Sequence, residues 1–456
     1  MTGRKVEFLD NYWVRLPEKF PRIIAVRRLK SLAKAAPGDR LVAALLRGDR
    51  AGALQVLGAP GSAVFLERLI SGGTTERLSA LLYERLCQLE LAEAATGQVL
   101  STGASLLDTL RALATRTYTL FATYDELFVK LYDELGEFQK QILWIKGPVL
   151  GRTLYAKPHF RFSVDFDLLV EPGAIDRVAE RLQSGGFAID WSDPGECHQL
   201  GTGPVGSLAD LRISPSAEFE PINNISLQMS GWPHVELKCD PWNRGLKAAT
   251  TERIFAGAEE LVWRGRRFLY PSTVDHLLIE LVHFHKHGFD GWHWLYDIHL
   301  LASKLTETPG RWQQLVERCR LEDELAASAW AGLELARETL GSPVPPEVTS
   351  ALAPADAGLW GKVFTYTVST DFLWNRTSLP MLLLNAAFLG DRARKTKVLR
   401  QCLCPSREFL SRYYGGGKQV GFWTQRLYLL AHWVVLLLPG GLARRTLGRL
   451  IWRTPS

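Results

Sequence analysis

At 456 residues the chain is too long for one ordinary core and implies two or three domains. Hydrophobic content of 46% and charged content of 22% are globular values, which exclude a disordered, fibrous or low-complexity protein. The formal charge of +6 is unevenly spread: from Asp391 to Ser456 thirteen Lys and Arg face two acids, a balance of +11, so the residues before that stretch sum to −5. Six cysteines (Cys87, Cys197, Cys239, Cys319, Cys402, Cys404) are scattered without a zinc-like CxxC pair, and "MTGRKVEFLDNYW" lacks the apolar core of a secretory signal. Reduced thiols and a cytoplasmic protein are the expectation.

Residues 1 to about 140 read as helix. "DRLVAALLRGD", "AVFLERLISGG" and "ERLSALLYERLCQLELAEAA" carry helical spacing, and a long helical pattern from "STGASLLDTL" ends near Gly136. "QILWIKG" (Gln141 to Gly147) is then a short apolar run with a glycine stop, the pattern of a buried strand, and Pro148 suits the first turn of a helix, "PVLGRTLY". In "HFRFSVDFDLLVEPG" a second strand places Val164, Phe166, Leu168 and Val170 on one side and Asp165, Asp167 and Leu169 on the other. "PGAIDRVAERLQSGGF" follows as a helix stopped by Gly185 and Gly186. Residues 190–222 are rich in Gly, Pro, Ser and acids and read as a long loop or insertion, after which "NISLQ" and "HVELK" restore strand character. After "RRFLYPSTVDHLLIELVHFHKHG" the pattern is helical to the end.

Two carboxylates projecting from one face about 5 Å apart repel by about 3 kcal/mol at an effective dielectric near 20. A fold keeps such a pair when a cation stands between them or when the strand end is wet, and Asp165 and Asp167 alone do not choose between the two.

The context does. "WIKG", a helix, "VDFDLLV" and "HVELK" resemble the nucleotidyltransferase superfamily typified by DNA polymerase beta. "LWIKGPVLGRTLYAKPHFRFSVDFDLLVEPGAIDRVAERLQSGGF" is similar to its uncharacterised nucleotidyltransferase family, most strongly from residue 141 to 187. The resemblance implies an α+β fold: a small mixed-sheet nucleotidyltransferase core over 116–265, with the insertion near 190–222, between an N-terminal helical region (1–115) and a C-terminal one (266–456) with a basic tail. It implies that Asp165, Asp167 and Glu236 bind one or two Mg²⁺ ions and carry catalysis, and that Lys146, Gly147 and Arg161 contact a nucleoside triphosphate such as ATP. Members of the family accompany gene clusters for modified peptides, lasso peptides among them, which points to a peptide or phosphopeptide acceptor. A catalytically inactive nucleotide- or peptide-binding module on the same fold is the alternative. One departure stands out: the superfamily's usual Gly-Ser pair is Gly147-Pro148 here, which removes a hydroxyl and a backbone donor. Arg161 has a second reading, an exposed side chain paired with Asp165.

His276, His283 and His287 share a helical face, with His285, His293 and His299 nearby. No H-E-x-x-H occurs, so packing and hydrogen bonding explain them better than a metal, with Asp297 available to orient an imidazole. "LYLLAHWVVLLL" is too short for a membrane span, which takes about 20 residues, and is interrupted by His432, so a buried core helix is the expectation. Arg445, Arg449 and Arg453 at four-residue spacing suit an acidic lipid or protein surface, with a solvated basic face equally open. No RNA-binding motif accompanies this basicity, which argues against a nucleic-acid acceptor.

Overall fold

The computed structural model describes residues 37–59, 77–189, 224–242, 248–286, 289, 291–353 and single positions between 423 and 433. The helix expected from "AVFLERLISGG", the expected 190–222 insertion, His287, three of the cysteines and nearly all of the basic tail lie outside the described residues.

Helices α1 (Pro37–Arg47), α2 (Arg50–Leu57), α3 (Ser79–Gln88) and α4 (Ala92–Thr96) precede a 30-residue helix, α5 (Leu106–Leu135). The helical run expected from "ERLSALLYERLCQLELAEAA" breaks between α3 and α4 at Glu90, whose φ of 54° no helix tolerates. Ser105 starts α5 by accepting a hydrogen bond from the Asp108 N–H at 3.0 Å, and Gly136 at φ 51° ends it. The two ends of α5 bury different stripes. Leu106, Leu107 and Leu110 join the core of the N-terminal helices, while Phe128, Leu131 and Leu135 face the sheet.

Among the described residues that sheet has five strands, β1 (Ile142–Ile145), β2 (Asp165–Val170), β3 (Ala188–Ile189), β4 (Asn224–Gln228) and β5 (His234–Lys238), in the order β1-β2-β5-β4-β3. Among these strands only β2 and β5 run parallel. Helix α6 (Gly147–Thr153) follows β1, and α7 (Ile175–Ser184) follows β2. Alternation sorts the strand residues as the sequence implies. Trp144, Phe166, Leu168, Val235 and Leu237 pack with α5 and α7, and Leu143, Ile145 and Leu169 join a second core with the C-terminal helices. The face carrying Asp165 and Asp167 is therefore the one turned to the C-terminal helices.

After α8 (Ala248–Ala256) comes a hairpin that the sequence reading did not anticipate, β6 (Glu259–Trp263) and β7 (Arg266–Tyr270). Its two-residue turn, Arg264 at φ 45° and Gly265 at φ 76°, is of the type that matches strand twist, but Arg-Gly lacks the Asn-Gly signature that announces it. Phe268 of β7 stacks on Phe128 at 4.4 Å, so the hairpin closes the core beneath the sheet. Helix α5 runs unbroken through position 116, and the hairpin spans position 265. Helices α9 (Thr273–Lys286), α10 (Trp292–Thr306), α11 (Arg311–Leu321), α12 (Asp323–Leu340) and α13 (Pro346–Leu352) complete an α+β architecture with the small mixed sheet between helical regions. Among the described residues, no helix is long and apolar enough to cross a membrane.

One buried ion pair ties three elements to this frame. Arg152 of α6 bonds Asp125 of α5, lies over the Phe128 ring at 4.3 Å and donates to the Pro148 carbonyl at 2.6 Å. Asp125 also accepts from the Trp263 indole at 2.9 Å and pairs with Arg264 at 2.7 Å. Removing one partner of a buried pair leaves the other charge uncompensated. Asp125→Ala is expected to cost about 3–5 kcal/mol in urea denaturation; a loss no larger than that of an exposed pair would show that the cluster contributes little.

Candidate functional site

Parallel register sets the site. Asp165 stands opposite His234 and Asp167 opposite Glu236, so the three carboxylates named from the sequence lie on one face of the two adjacent central strands. Lys238 shares that face, two residues beyond Glu236. Its ammonium bonds Asp167 Oδ1 at 2.5 Å and Glu236 Oε2 at 2.5 Å. Lys146, at the end of β1, reaches the same Asp167 oxygen at 2.9 Å. Burial alone would raise the Asp167 carboxyl, but the two ammoniums outweigh it and hold the group well below the usual carboxylate range. Asp167 is an ion at any physiological pH.

The turn from β1 into α6 brings Lys146 to this position at a conformational cost. Its φ of 59° and ψ of −141° lie where only glycine sits easily, worth on the order of 1–3 kcal/mol. His276 of α9 holds the turn from behind: its Nε2 accepts the Lys146 backbone N–H at 3.0 Å. Burial, reinforced by Lys304 and Lys146, pushes this imidazole down to about 3, so it is neutral and free to accept. Gly147 comes next, and a Cβ there would stand 2.2 Å from Ser163 Oγ. The glycine is required by the approach of Ser163, whose hydroxyl donates to Asp165 Oδ1 at 2.7 Å. The hydroxyl absent at Pro148 is thus matched by one beside the same turn, from another segment.

Arg161 lies behind the turn and is buried. Its Nε donates to Asp297 at 3.0 and 2.7 Å, and Nη1 donates to the Phe162 carbonyl at 3.0 Å. The pairing with Asp165 weighed from the sequence does not occur; Asp297 of α10, which the sequence offered as an imidazole partner, takes the guanidinium instead and also accepts from Tyr155 at 2.7 Å. One turn beyond His276, Glu280 is fully buried, and neither of its carboxyl oxygens has a hydrogen-bond partner among the described residues. Burial, with the Asp297 charge adding, raises it to about 8 against the pull of Arg161 and Lys146. It is a neutral acid at pH 7.

The remaining histidines disperse. His283 meets the Trp294 ring edge-on at 5.0 Å, His285 bonds Ser328 at 3.1 Å, and His299 bonds Ser342 at 2.9 Å. Among the described residues, no three His, Cys, Asp or Glu side chains are gathered closely enough to hold a metal ion as they stand. In kind, Asp165, Asp167 and Glu236 fit a hard divalent cation, since all three offer carboxylate oxygen. In place, the ammonium of Lys238 lies between two of them.

Sequence reasoning named Lys146, Gly147, Arg161, Asp165, Asp167 and Glu236, and the fold brings all six within one layer between the sheet and the C-terminal helices. It passed over Ser163, Lys238 and Glu280. Two of these carried a signal: Lys238 alternates with Glu236 in "HVELK", and Glu280 lies one helical turn from His276. Ser163 carried none, because its role depends on a neighbour sixteen residues away.

The profile of a family described as "Uncharacterised nucleotidyltransferase" matches residues 65–341. No curated protein and no solved structure matches the chain.

Two variants probe the buried supports. His276→Ala leaves the Lys146 N–H without its acceptor and is expected to lower stability by about 1–3 kcal/mol in urea, with His276→Gln recovering part of the loss; equal losses for both would show that neither a restored acceptor nor a refilled space makes up for the imidazole. Glu280 keeps its proton when folded but releases it above about pH 4.5 when unfolded, so its contribution to stability is complete below that pH and is lost as pH rises toward 8. Glu280→Gln should gain on the native chain in Tm between pH 5 and pH 8, by about 2 °C or more at the upper end; a constant difference would mean that Glu280 ionises normally.

Proposed function

The chain belongs to the uncharacterised nucleotidyltransferase family, and from that premise we propose that it moves a nucleotidyl group from a nucleoside triphosphate, with ATP the first candidate, to a hydroxyl or phosphate acceptor. The observation that carries this reading is the register of β2 with β5, which sets Asp165, Asp167 and Glu236 on one face of adjacent strands beside the buried Lys146 ammonium. Mg²⁺ would be held by Asp165, Asp167 and Glu236, and when bound it would neutralise triphosphate charge and polarise the reacting phosphoryl group.

The chain's own groups then have distinct tasks. Glu236, the least buried member of the Asp167–Lys238–Glu236 chain, is suited to take the proton of an acceptor hydroxyl. Lys146 and Gly147 would meet the phosphates, the strained turn being fixed by His276 before any substrate arrives. Arg161, its charge matched by Asp297 behind the turn, would support the phosphate-facing turn rather than contact the phosphates directly.

For the acceptor we infer a peptide or phosphopeptide in a natural-product tailoring pathway of the cytoplasm, on the family resemblance; the +11 balance of residues 391–456 suits an acidic substrate. The same stretch supports peripheral contact with an acidic membrane surface, because Trp423, Leu427, Leu430 and Trp433 are exposed at helical intervals, against the buried core helix expected from the apolar run beginning at Leu427. A second reading, a nucleotide- or peptide-binding module without turnover, is favoured by the two lysines that already neutralise Asp167.

Incubation with each α-phosphate-labelled nucleoside triphosphate, Mg²⁺ and candidate acceptors tests the choice. Label should pass to the acceptor, and Asp165→Asn and Asp167→Asn should each lower the rate by at least about 100-fold. Transfer that survives both substitutions would sink the enzyme reading; Mg²⁺-dependent nucleotide binding without transfer would favour the module.

A further inference from the structure

The position of Lys238 in the carboxylate cluster has a consequence for how a divalent ion reaches it. The Lys238 ammonium is bonded to Asp167 Oδ1 and Glu236 Oε2, both at 2.5 Å, and those residues are register partners on adjacent strands. A divalent ion bridging the same two side chains through the oxygens that Lys238 holds would sit about 2.0–2.2 Å from them and therefore take nearly the same point in space. Lys146 already supplies a second positive charge to the Asp167 oxygen at 2.9 Å. The side chains of Lys238, Lys146 and Asp167 are 6%, 9% and 2% exposed, so little water screens the repulsion among cations there. Both ammoniums use Oδ1 of Asp167, so a divalent ion that bridges through this oxygen has to dislodge one of them.

We propose that Lys238 is a built-in competitor for the metal position: its ammonium bridges Asp167 and Glu236, and a divalent ion enters only by displacing it. The phosphates of an incoming nucleotide provide the displaced ammonium with a new counter-charge, and its flexible four-carbon stem lets it follow. Metal and nucleotide binding are thereby coupled, each strengthening the other, and the ion alone binds weakly. This inference rests on the nucleotidyltransferase reading of the site.

Binding of Mn²⁺ followed by electron paramagnetic resonance, on the full chain, with and without a non-hydrolysable nucleoside triphosphate analogue, tests it without requiring turnover. Lys238→Met should bind Mn²⁺ alone about tenfold or more tighter than the native chain, and the analogue should tighten Mn²⁺ binding far more in the native chain than in the variant. Lys238→Gln, which keeps a polar tip without the charge, serves if the methionine variant does not fold. Native Mn²⁺ affinity equal to that of the variants overturns the competition while leaving the nucleotidyltransferase reading intact. Absence of Mn²⁺ binding in every chain, with the analogue present, overturns both.

Discussion

The site depends on one buried carboxylate, Asp167, held ionised between two lysines. A lone carboxylate in that position would be costly and would take up a proton. Lys146 and Lys238 prevent this, and each arrives from a different strand neighbouring β2, one from the end of β1 and one from β5. The central sheet is therefore held together at this point by charge as well as by its ladder. The apolar side of the same strands, with Trp144, Phe166 and Phe268 packed on Phe128, supplies the rigid backing against which such a charged cluster can be kept in register.

The C-terminal helices contribute a second polar layer. His276 and Glu280 on α9 and Asp297 on α10 each carry a group that could be charged, yet burial leaves the imidazole and the Glu280 carboxyl neutral while Asp297 is matched to Arg161. The result is a floor beneath the Lys146–Gly147 turn whose charges are settled in advance. That floor itself needs little rearrangement when a highly charged ligand arrives above it.

Much of this was legible in the sequence, for identifiable reasons. The strand–helix–strand–helix unit from Ile142 to Ser184 follows from period-two and period-three-to-four patterning with glycine stops, and the facing of Asp165 with Asp167 follows from the pleat. What escaped were relations between segments distant in sequence. The Arg161–Asp297 pair spans 136 residues, and the support of Lys146 by His276 spans 130, so no local pattern encodes either. The β6–β7 hairpin was hidden by an atypical turn pair, and the break at Glu90 by a backbone angle that non-glycine residues rarely adopt.

Because Asp167 and Glu236 are cross-strand partners in the middle of the sheet, their backbones are separated by the ladder spacing of about 4.8 Å, which no loop rearrangement can alter. The cluster behaves as a caliper of fixed gauge, adjustable only through side-chain torsions. Drift in the flanking helices would leave that gauge unchanged, whereas an inserted or deleted residue within β5 would turn Glu236 to the opposite side and abolish the gap altogether. Tolerance to sequence change should accordingly be wide around the sheet and narrow along five residues of it.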